Sequence, residues 1–353
     1  MSSTSAEDAH PAAVEISAPA RVHVTLIEMN GSGERLDGSV GFALDEPRLR
    51  LRLVRADRLD CTGGTAAEHA ALAAEVTRAA AALGVKDTVR VHLLSGIPAH
   101  QGFGSGTQLR LAVLDGLAGL NGRVLAHPEL VALSGRGGTS GIGVHAFRRG
   151  GLLVDGGHLR RHKAAFAPSR FAEATAATGA SLPPVLYAGH PPEHWGVVLA
   201  VPKGLSGLEG AAEREFMAAN TPVPLPEVHE VSHTVLMGLL PALVEQDLPA
   251  FGSALTALQD VGWKRRHWDR PELRSWRRLV DILTAAGAVG GGLSSTGPLV
   301  YGLYDRTRHD DRVLQERITT AAGRAGLPLE SVRTTRFGTP ATVETLGGTG
   351  VAR

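Results

Sequence analysis

The segment Arg48-Leu-Arg-Leu-Arg-Leu-Val54 alternates charged and apolar residues without a break. A period of two belongs to a strand, because successive side chains leave opposite faces of the pleat. Leu49, Leu51 and Leu53 are therefore expected on a dry face, and Arg48, Arg50 and Arg52 on a wet one. A doubly wound parallel sheet is covered on both faces and needs near-continuous apolar runs, so one-sided strands argue against it. The same period recurs in RVHVTLIEM (21–29), with Val22, Val24 and Leu26 on one face, and in TVRVHLLSG (88–96), with Val89, Val91 and Leu93. Mixed with helical stretches, these strands predict an α+β fold.

Between and after them the chain punctuates itself. The turn stretch NGSGERLDG (30–38) leads into SVGFAL, and Ala66–Leu83 and Leu109–Leu120 read as helices. GGLLVDGG (150–157) and WGVVLAVPKG (195–204) read as strands. Residues 227–246, 249–262 and 272–286 are helical, and 287–305 is loop then strand. A helix (312–325) and a strand (331–337) follow. No internal repeat is present. With 353 residues the chain has room for two domains. Proline and histidine cluster at 183–195, so the lobes are expected at 13–185 and 186–340, with mobile tails at 1–12 and 341–353.

Charge and composition exclude several classes. Lys+Arg 36 against Asp+Glu 35 leaves +1, and no bulk field draws nucleic acid or anionic lipid. No apolar run approaches the roughly 18 residues of a membrane span, and residues 1–19 lack the regions of a signal peptide, so a cytoplasmic protein is expected. Cys61 is the only cysteine, which excludes an intramolecular disulfide and a CxxC site. HEVSH (229–233) matches the zinc pattern H-E-x-x-H, and His229 and His233 share a helix face. The match is short, lacks the longer HxxGxxH extension, and is read as a polar helix end. TSGIG (139–143) and Gly102-Phe-Gly104 resemble pieces of a dinucleotide site, but no tyrosine is followed by a lysine four residues later and no clear βαβ unit surrounds them.

The most informative segment is Pro98-Ala-His-Gln-Gly-Phe-Gly-Ser-Gly-Thr-Gln108, between a strand and a helix. Gly102, Gly104 and Gly106 permit positive φ and close backbone approach, so successive N–H groups can surround an anion. The following helix adds the partial positive charge of its N-terminus. Ser105 and Thr107 add hydroxyls; no Lys-Ser/Thr pair ends the segment, so it is not a Walker loop. The alternative is a tight turn that only packs a helix on a sheet.

The pattern P-x-x-x-G-[LF]-G-S-[SG] resembles the phosphate loop of the GHMP kinase superfamily, and Gly290–Pro298 (GGGLSSTGP) resembles its third motif. Four stretches narrow the resemblance: 21–44, 97–112, 135–158 and 222–245 are similar to β-ribofuranosylaminobenzene 5′-phosphate synthase. The likeness runs from about residue 18 to 305. It implies a GHMP-kinase-like two-lobed fold, with an N-terminal ribosomal-S5-like lobe and a C-terminal ferredoxin-like lobe. It also implies an enzyme that is not a kinase: a phosphoribosyltransferase joining phosphoribosyl pyrophosphate (PRPP) to an aromatic acid through a C–C bond, with loss of diphosphate and CO2. A related branch makes C-nucleotides of the formycin and pyrazofurin type.

Set against that chemistry, Gly102, Phe103, Gly104, Ser105, Gly106, Thr107 and Gln108 are assigned to the diphosphate, with Mg²⁺ as cofactor held mainly through the phosphates of PRPP. Glu28, Arg35 and Asp37 match the family's N-terminal motif. Arg35 would clamp a carboxylate or phosphate, and Glu28 and Asp37 are candidates for base or Mg²⁺ ligand. Read alone, these three are a solvated turn. Arg35→Ala is expected to lose most activity while folding normally. Arg21 and His23 point into the cleft, or His23 is a semi-buried histidine. Gly138, Thr139 and Ser140, with Arg136 near, take the 5′-phosphate or only form a packing turn. Asp155 and His158 are weaker cleft candidates. Trp263, Lys264 and Arg265 capture acid groups of the acceptor or form a flexible basic patch.

The likeness of the third motif implies that Ser294, Ser295 and Thr296 contact substrate. Thr296 departs from the family, whose aminobenzoate-using members carry an aromatic residue there, and this points to a polar acceptor, an aminopyrazole dicarboxylate. The alternatives are 4-aminobenzoate or 4-hydroxybenzoate as acceptor, or an ATP-dependent small-molecule kinase. The expected partners are small molecules and a second copy of the chain, with neither nucleic acid nor membrane.

Overall fold

A computed structural model describes residues 11–163, 182–208 and 210–347. Its first two strands, β1 (Ala13–Glu28) and β2 (Arg35–Arg55), pair antiparallel over most of their length, with Ala13 opposite Val54 and Glu28 opposite Asp37. β3 (Asp60–Thr62) leads to α1 (Ala66–Leu83). That helix starts at a Thr65–Glu68 capping box and stops at Gly84, which takes the left-handed conformation. β4 (Val89–Ser95) lies between β2 and β3. α2 (Ser105–Leu120), α3 (His127–Ser134) and α4 (Ile142–Arg149) follow. β5 (Leu152–Asp155) and β6 (His158–Leu159) pair with β2, and β7 (Val185–Gly189) pairs with β5.

The second half opens with β8 (Trp195–Pro202) and α5 (Gly210–Asn220). α6 (Leu225–His233) runs through a π-helical turn at 234–239 into α7 (Leu240–Val244). Then come α8 (Leu248–Ala257), α9 (Gly262–Trp268), α10 (Pro271–Arg274) and α11 (Arg278–Ala286). β9 (Gly290–Leu293), β10 (Val300–Asp305), α12 (Asp311–Arg324), β11 (Leu329–Arg336) and β12 (Thr342–Leu346) complete the chain. An eight-stranded sheet has the main order β12-β1-β2-β4-β3, and a four-stranded antiparallel sheet has the order β11-β8-β10-β9. This is the expected α+β, two-lobed architecture.

The alternating segment behaves as its period dictates on one face. Leu49, Leu51 and Leu53 are buried against α1 and α2, and Arg50 and Arg52 reach water, where they pair with Glu46 and Glu15. Arg48 is the exception. It is buried, donating from Nε to Ser17 Oγ and from Nη2 to Pro340 O, each at 2.8 Å, because the chain at 338–340 crosses over it. α2 is buried on nearly all sides, through Leu111, Val113, Leu114 and Leu117 among others, so it is the helix around which the first lobe packs. One apolar core continues from this lobe into the second, with Phe42 meeting Tyr301 edge to face at 5.6 Å. The outer face of the four-stranded sheet is covered by α11 and α12.

Several sequence expectations change. SVGFAL and 48–54 are parts of one strand, and β2 already begins at Arg35, which shortens the expected turn. α2 begins at Ser105 rather than Leu109, so the glycine-rich segment supplies its first turn. α5 was not foreseen. The lobe boundary falls after β7, because that strand hydrogen-bonds into the first lobe's sheet. The expected mobile tail is also corrected. β1 has an open edge, and β12 fills it, with Val14 opposite Thr345 and Val343 opposite Ile16. Residues 1–10 and 348–353 lie outside the described residues. Among the described residues no helix is long and apolar enough to cross a membrane.

Candidate functional site

The two glycine-rich segments meet on β1. The carbonyl of Gly102 accepts from Arg21 Nη1 and from Ser294 Oγ, both at 2.7 Å. Ser294 Oγ in turn accepts the N–H of His23 at 3.1 Å, and Ser295 N donates to His23 O at 2.9 Å. Arg21 N donates to Phe103 O at 3.0 Å. Behind this joint Lys264 Nζ, fully buried, donates to Leu293 O and Ser295 O at 2.7 Å each, and Arg270 Nη1 donates to Thr296 O at 2.8 Å. Segments 192 residues apart are thereby held as one surface.

At the centre of that surface is the N-terminus of α2. Its N-cap, Gly104, has φ +77° and no side chain to cap the helix. The N–H groups of Thr107 and Gln108 turn back to Gly104 O at 3.2 Å, whereas those of Ser105 and Gly106 take no partner among the described residues. Two guanidinium groups flank them. A Cβ on Gly104 would stand 2.8 Å from Arg21 Cζ, and a Cβ on Gly106 would stand 3.6 Å from Arg136 Nη2. Arg136 Nε is buried with no hydrogen-bond partner among the described residues. Burial lowers the Arg21 pKa to about 10, partly offset by Glu213, so the group stays cationic at neutral pH. Burial lowers Arg136 as well. Uncapped helix N–H groups between two cations form an anion cradle.

The cradle opens into a cavity of about 880 Å³. One part of its wall is aromatic. Phe216 on α5 stacks on His267 of α9 at 4.7 Å with an interplanar angle of 26°, and Trp263 stands edge-on to both, at 5.5 Å and 5.0 Å. Burial is the main force holding His267 and His23 well below the usual imidazole range, with neighbouring cations adding to it, so both rings are neutral near pH 7. Burial likewise pushes Lys264 down.

Thr139 and Ser140 reach the same cavity from the loop before α4. Their support is Asp155, fully buried beneath the loop, which accepts from Ser39 Oγ, from Gly141 N at 3.2 Å and from Gly157 N at 2.9 Å. Ser39 Oγ and Ser140 Oγ are 2.9 Å apart, so a hydrogen-bond chain runs from Asp155 to the cavity surface. Burial raises the Asp155 pKa to about 6.

Of the residues assigned from sequence, the cavity gathers Arg21, His23, Gly102, Gly104, Ser105, Gly106, Thr107, Thr139, Ser140, Ser295 and Thr296. Phe103, Gln108, Gly138 and Ser294 are buried supports: Gln108 Nε2, for example, donates to Gly143 O at 2.8 Å. Glu28, Arg35 and Asp37 do not line this cavity. Glu28 Oε1 accepts from the N–H groups of Asn30 and Gly31 at 2.9 Å and so closes the β1–β2 turn. Arg35 donates from Nε to Gly156 O at 2.5 Å and from Nη2 to Gly157 O at 2.7 Å, so its fork is spent on backbone. Asp37 is fully buried between Lys163 Nζ at 2.5 Å and His158 Nδ1 at 3.1 Å.

Nor are residues 263–265 a flexible patch. Trp263 is cavity wall, Lys264 is buried, and only Arg265 is exposed, paired with Glu227. Thr296 Oγ1 is on the wall but donates to Leu208 O at 3.2 Å. His229 and His233 are exposed on α6. Sequence reasoning missed Glu213, Phe216 and His267. The available signal for the last was its i, i+4 spacing from Trp263, which puts both on one helix face.

Among the described residues no three His, Cys, Asp or Glu side chains converge on a metal-sized point. The carboxylates on the cavity wall are Glu68 and Glu213.

Comparison with known proteins places this geometry. Residues 68–151 match the family description "GHMP kinases N terminal domain", and residues 239–320 match "GHMP kinases C terminal". The chain is 38% identical over 299 residues to the β-ribofuranosylphenol 5′-phosphate synthase of Methanothermobacter thermautotrophicus, covering 82% of this chain and 88% of that protein. It is 37% identical over 300 residues to the synthase of the same name from Archaeoglobus fulgidus, covering 81% and 86%. Among solved structures it resembles homoserine kinase from Cytophaga hutchinsonii, with TM-score 0.64 and 15% identity over 98% of this chain and 100% of that one. Streptococcus pneumoniae phosphomevalonate kinase gives 0.61 and 13%, over 92% and 100%. At such identities the kinases share the fold alone.

Proposed function

The chain belongs to the β-ribofuranosylphenol 5′-phosphate synthase family, and we propose that it transfers ribose 5-phosphate from PRPP to a ring carbon of an aromatic acid. The acceptor is a benzoate with a para hydroxyl or amino group, since the relatives are named for a ribofuranosylphenol. This reverses the order of acceptors expected from Thr296. One observation carries the reading: the open N–H groups of α2, flanked by Arg21 and Arg136, face a cavity whose wall includes stacked rings. A diphosphate and an aromatic ring fit in one space.

The chemistry then follows from where charge moves. As the C1–O bond of PRPP breaks, its electron pair leaves with the diphosphate, and the Ser105 and Gly106 N–H groups with Arg21 and Arg136 stabilise that anion as it forms. Thr139 and Ser140 hold the 5′-phosphate. The acceptor lies against Phe216 and Trp263, and its electron-rich ring carbon bonds to C1. The C–CO2⁻ pair then returns to the ring as CO2 departs, restoring aromaticity. Mg²⁺ would enter on the diphosphate, with Glu68 or Glu213 as its protein carboxylate, and would share the phosphate charge.

A second acceptor, an aminopyrazole dicarboxylate, is favoured by the position of Thr296 on the cavity wall, where a small residue leaves room for polar substituents. Incubation with PRPP, Mg²⁺ and each acceptor in turn, with diphosphate and CO2 measured, tests the reading. Equimolar release of both with 4-hydroxybenzoate or 4-aminobenzoate is expected. ADP formed from ATP with no diphosphate released from PRPP would overturn it in favour of a kinase.

A further inference from the structure

His267 is an unusual wall residue. It is 1% exposed, yet its ring borders the cavity, and Nδ1 is buried with no hydrogen-bond partner among the described residues. Its position is over-determined: Phe216 stacks on one face, Trp263 meets it edge-on, and α9 is anchored to the third motif by Lys264. A buried polar group without a partner is costly and is uncommon in native proteins. Nδ1 is sealed from the cavity, so the nitrogen that can meet a ligand is Nε2, which takes no partner among the described residues and sits on a rigid, neutral imidazole at the cavity edge.

We propose that His267 recognises the acceptor, by hydrogen bonding to the hydroxyl or amino substituent para to the departing carboxylate. This rests on the reading above. In that reaction the carboxylate is carried on the carbon that bonds to ribose C1, so that end of the ring faces the diphosphate cradle and its arginines. The para substituent points away from them, and the aromatic wall supplies flat surface for the ring between. A neutral imidazole carries one N–H donor and one acceptor nitrogen, which suits a neutral O–H or N–H group better than a second carboxylate. Drawing on that hydrogen also pushes electron density into the ring, toward the carbon that must attack. His267 is thus both a specificity residue and a contact that strengthens as the bond forms.

The test compares 4-hydroxybenzoate with 4-methylbenzoate, which has the same shape and no polar hydrogen, by calorimetric titration in the presence of inorganic diphosphate and Mg²⁺ and without PRPP, so that the acids bind but nothing turns over. The wild-type protein should bind the hydroxy acid about tenfold more tightly or better, the worth of one buried hydrogen bond. His267→Phe keeps a flat ring against Phe216 and should bind the two acids equally. His267→Gln, which keeps a donor and an acceptor, should recover part of the preference. Affinity for PRPP with Mg²⁺ should be unchanged in both variants and shows that they are folded. A preference that survives in His267→Phe, or is missing from the wild type, overturns the inference. Diphosphate release distinguishes the two failures: with no release for any aryl acid the enzyme reading falls, and with release but surviving selectivity only the role of His267 falls.

Discussion

The guanidinium of Arg21 lies so close over Gly104 that a methyl group on that glycine would come within 2.8 Å of its Cζ. The same arginine donates to the carbonyl of Gly102 two residues earlier. Arg21 therefore shapes the loop and also supplies its charge. Gly104→Ala meets two costs at once, a side chain at φ +77° and a displaced guanidinium. The strained backbone costs about 1–2 kcal/mol. Loss of the cradle should cut diphosphate release by about a hundredfold or more. Thermal unfolding and product assays on one preparation separate the two effects, and wild-type turnover would exclude Gly104 from the site.

The hydroxyl of Ser294 ties the third motif to both β1 and the glycine loop. It donates to Gly102 O and accepts from His23 N, so Ser294→Ala leaves a buried N–H with no partner. Such a loss costs about 1–3 kcal/mol. Urea unfolding should show it, together with a raised KM for PRPP because the loop is no longer braced. A stability equal to wild type would mean that water or a rearranged backbone replaces the bond.

Much of this was legible in the sequence because it is written in local rules. Period-two alternation identified the strands, the run Ala66–Leu83 read as a helix, and the glycine spacing at 102, 104 and 106 marked the anion loop. The errors share a different cause. Arg48 alternates correctly with its neighbours but is buried by a chain segment 291–292 residues away, and no local pattern announces that cover. Glu28, Arg35 and Asp37 have the residue types of catalysis, yet each engages a partner that only the tertiary fold supplies, namely a turn, two carbonyls and a buried lysine. Phe216 and His267 were missed for the converse reason. On a helix either residue is ordinary core until α5 and α9 are brought against one cavity.

Arg35 offers a direct contest between the two readings. Its bonds to Gly156 O and Gly157 O hold the β5–β6 turn onto β2, and bonds from a charged donor are worth about 1.5–3 kcal/mol. Arg35→Ala should therefore lower the unfolding midpoint in urea by a matching amount, while the folded fraction keeps its affinity for PRPP. An unchanged midpoint with donor binding lost would return Arg35 to the role of ligand clamp, as its motif suggested.

Asp155 makes stability depend on pH in the direction opposite to that of an ordinary paired carboxylate. Burial raises its folded pKa to about 6, above the usual 3.8, and the hydrogen bonds from Ser39 and Gly157 offset only part of that rise. Between these two values the folded state holds a proton that the unfolded chain has released. Unfolding free energy from this group therefore falls as pH climbs from about 4 to 6, and above that the full cost of a buried anion is present. About two pKa units correspond to roughly 3 kcal/mol. Asp155→Asn removes the titration. It also presents an amide where Gly141 and Gly157 both donate, a penalty that does not vary with pH. The variant should thus be markedly less stable than wild type at pH 4.5 and gain on it steadily toward pH 7. Urea midpoints of both proteins across that range give the difference directly. A difference that stays flat would mean that Asp155 is ionised throughout, and that the Ser39–Ser140 chain above it keeps one hydrogen-bond direction at every pH in the range.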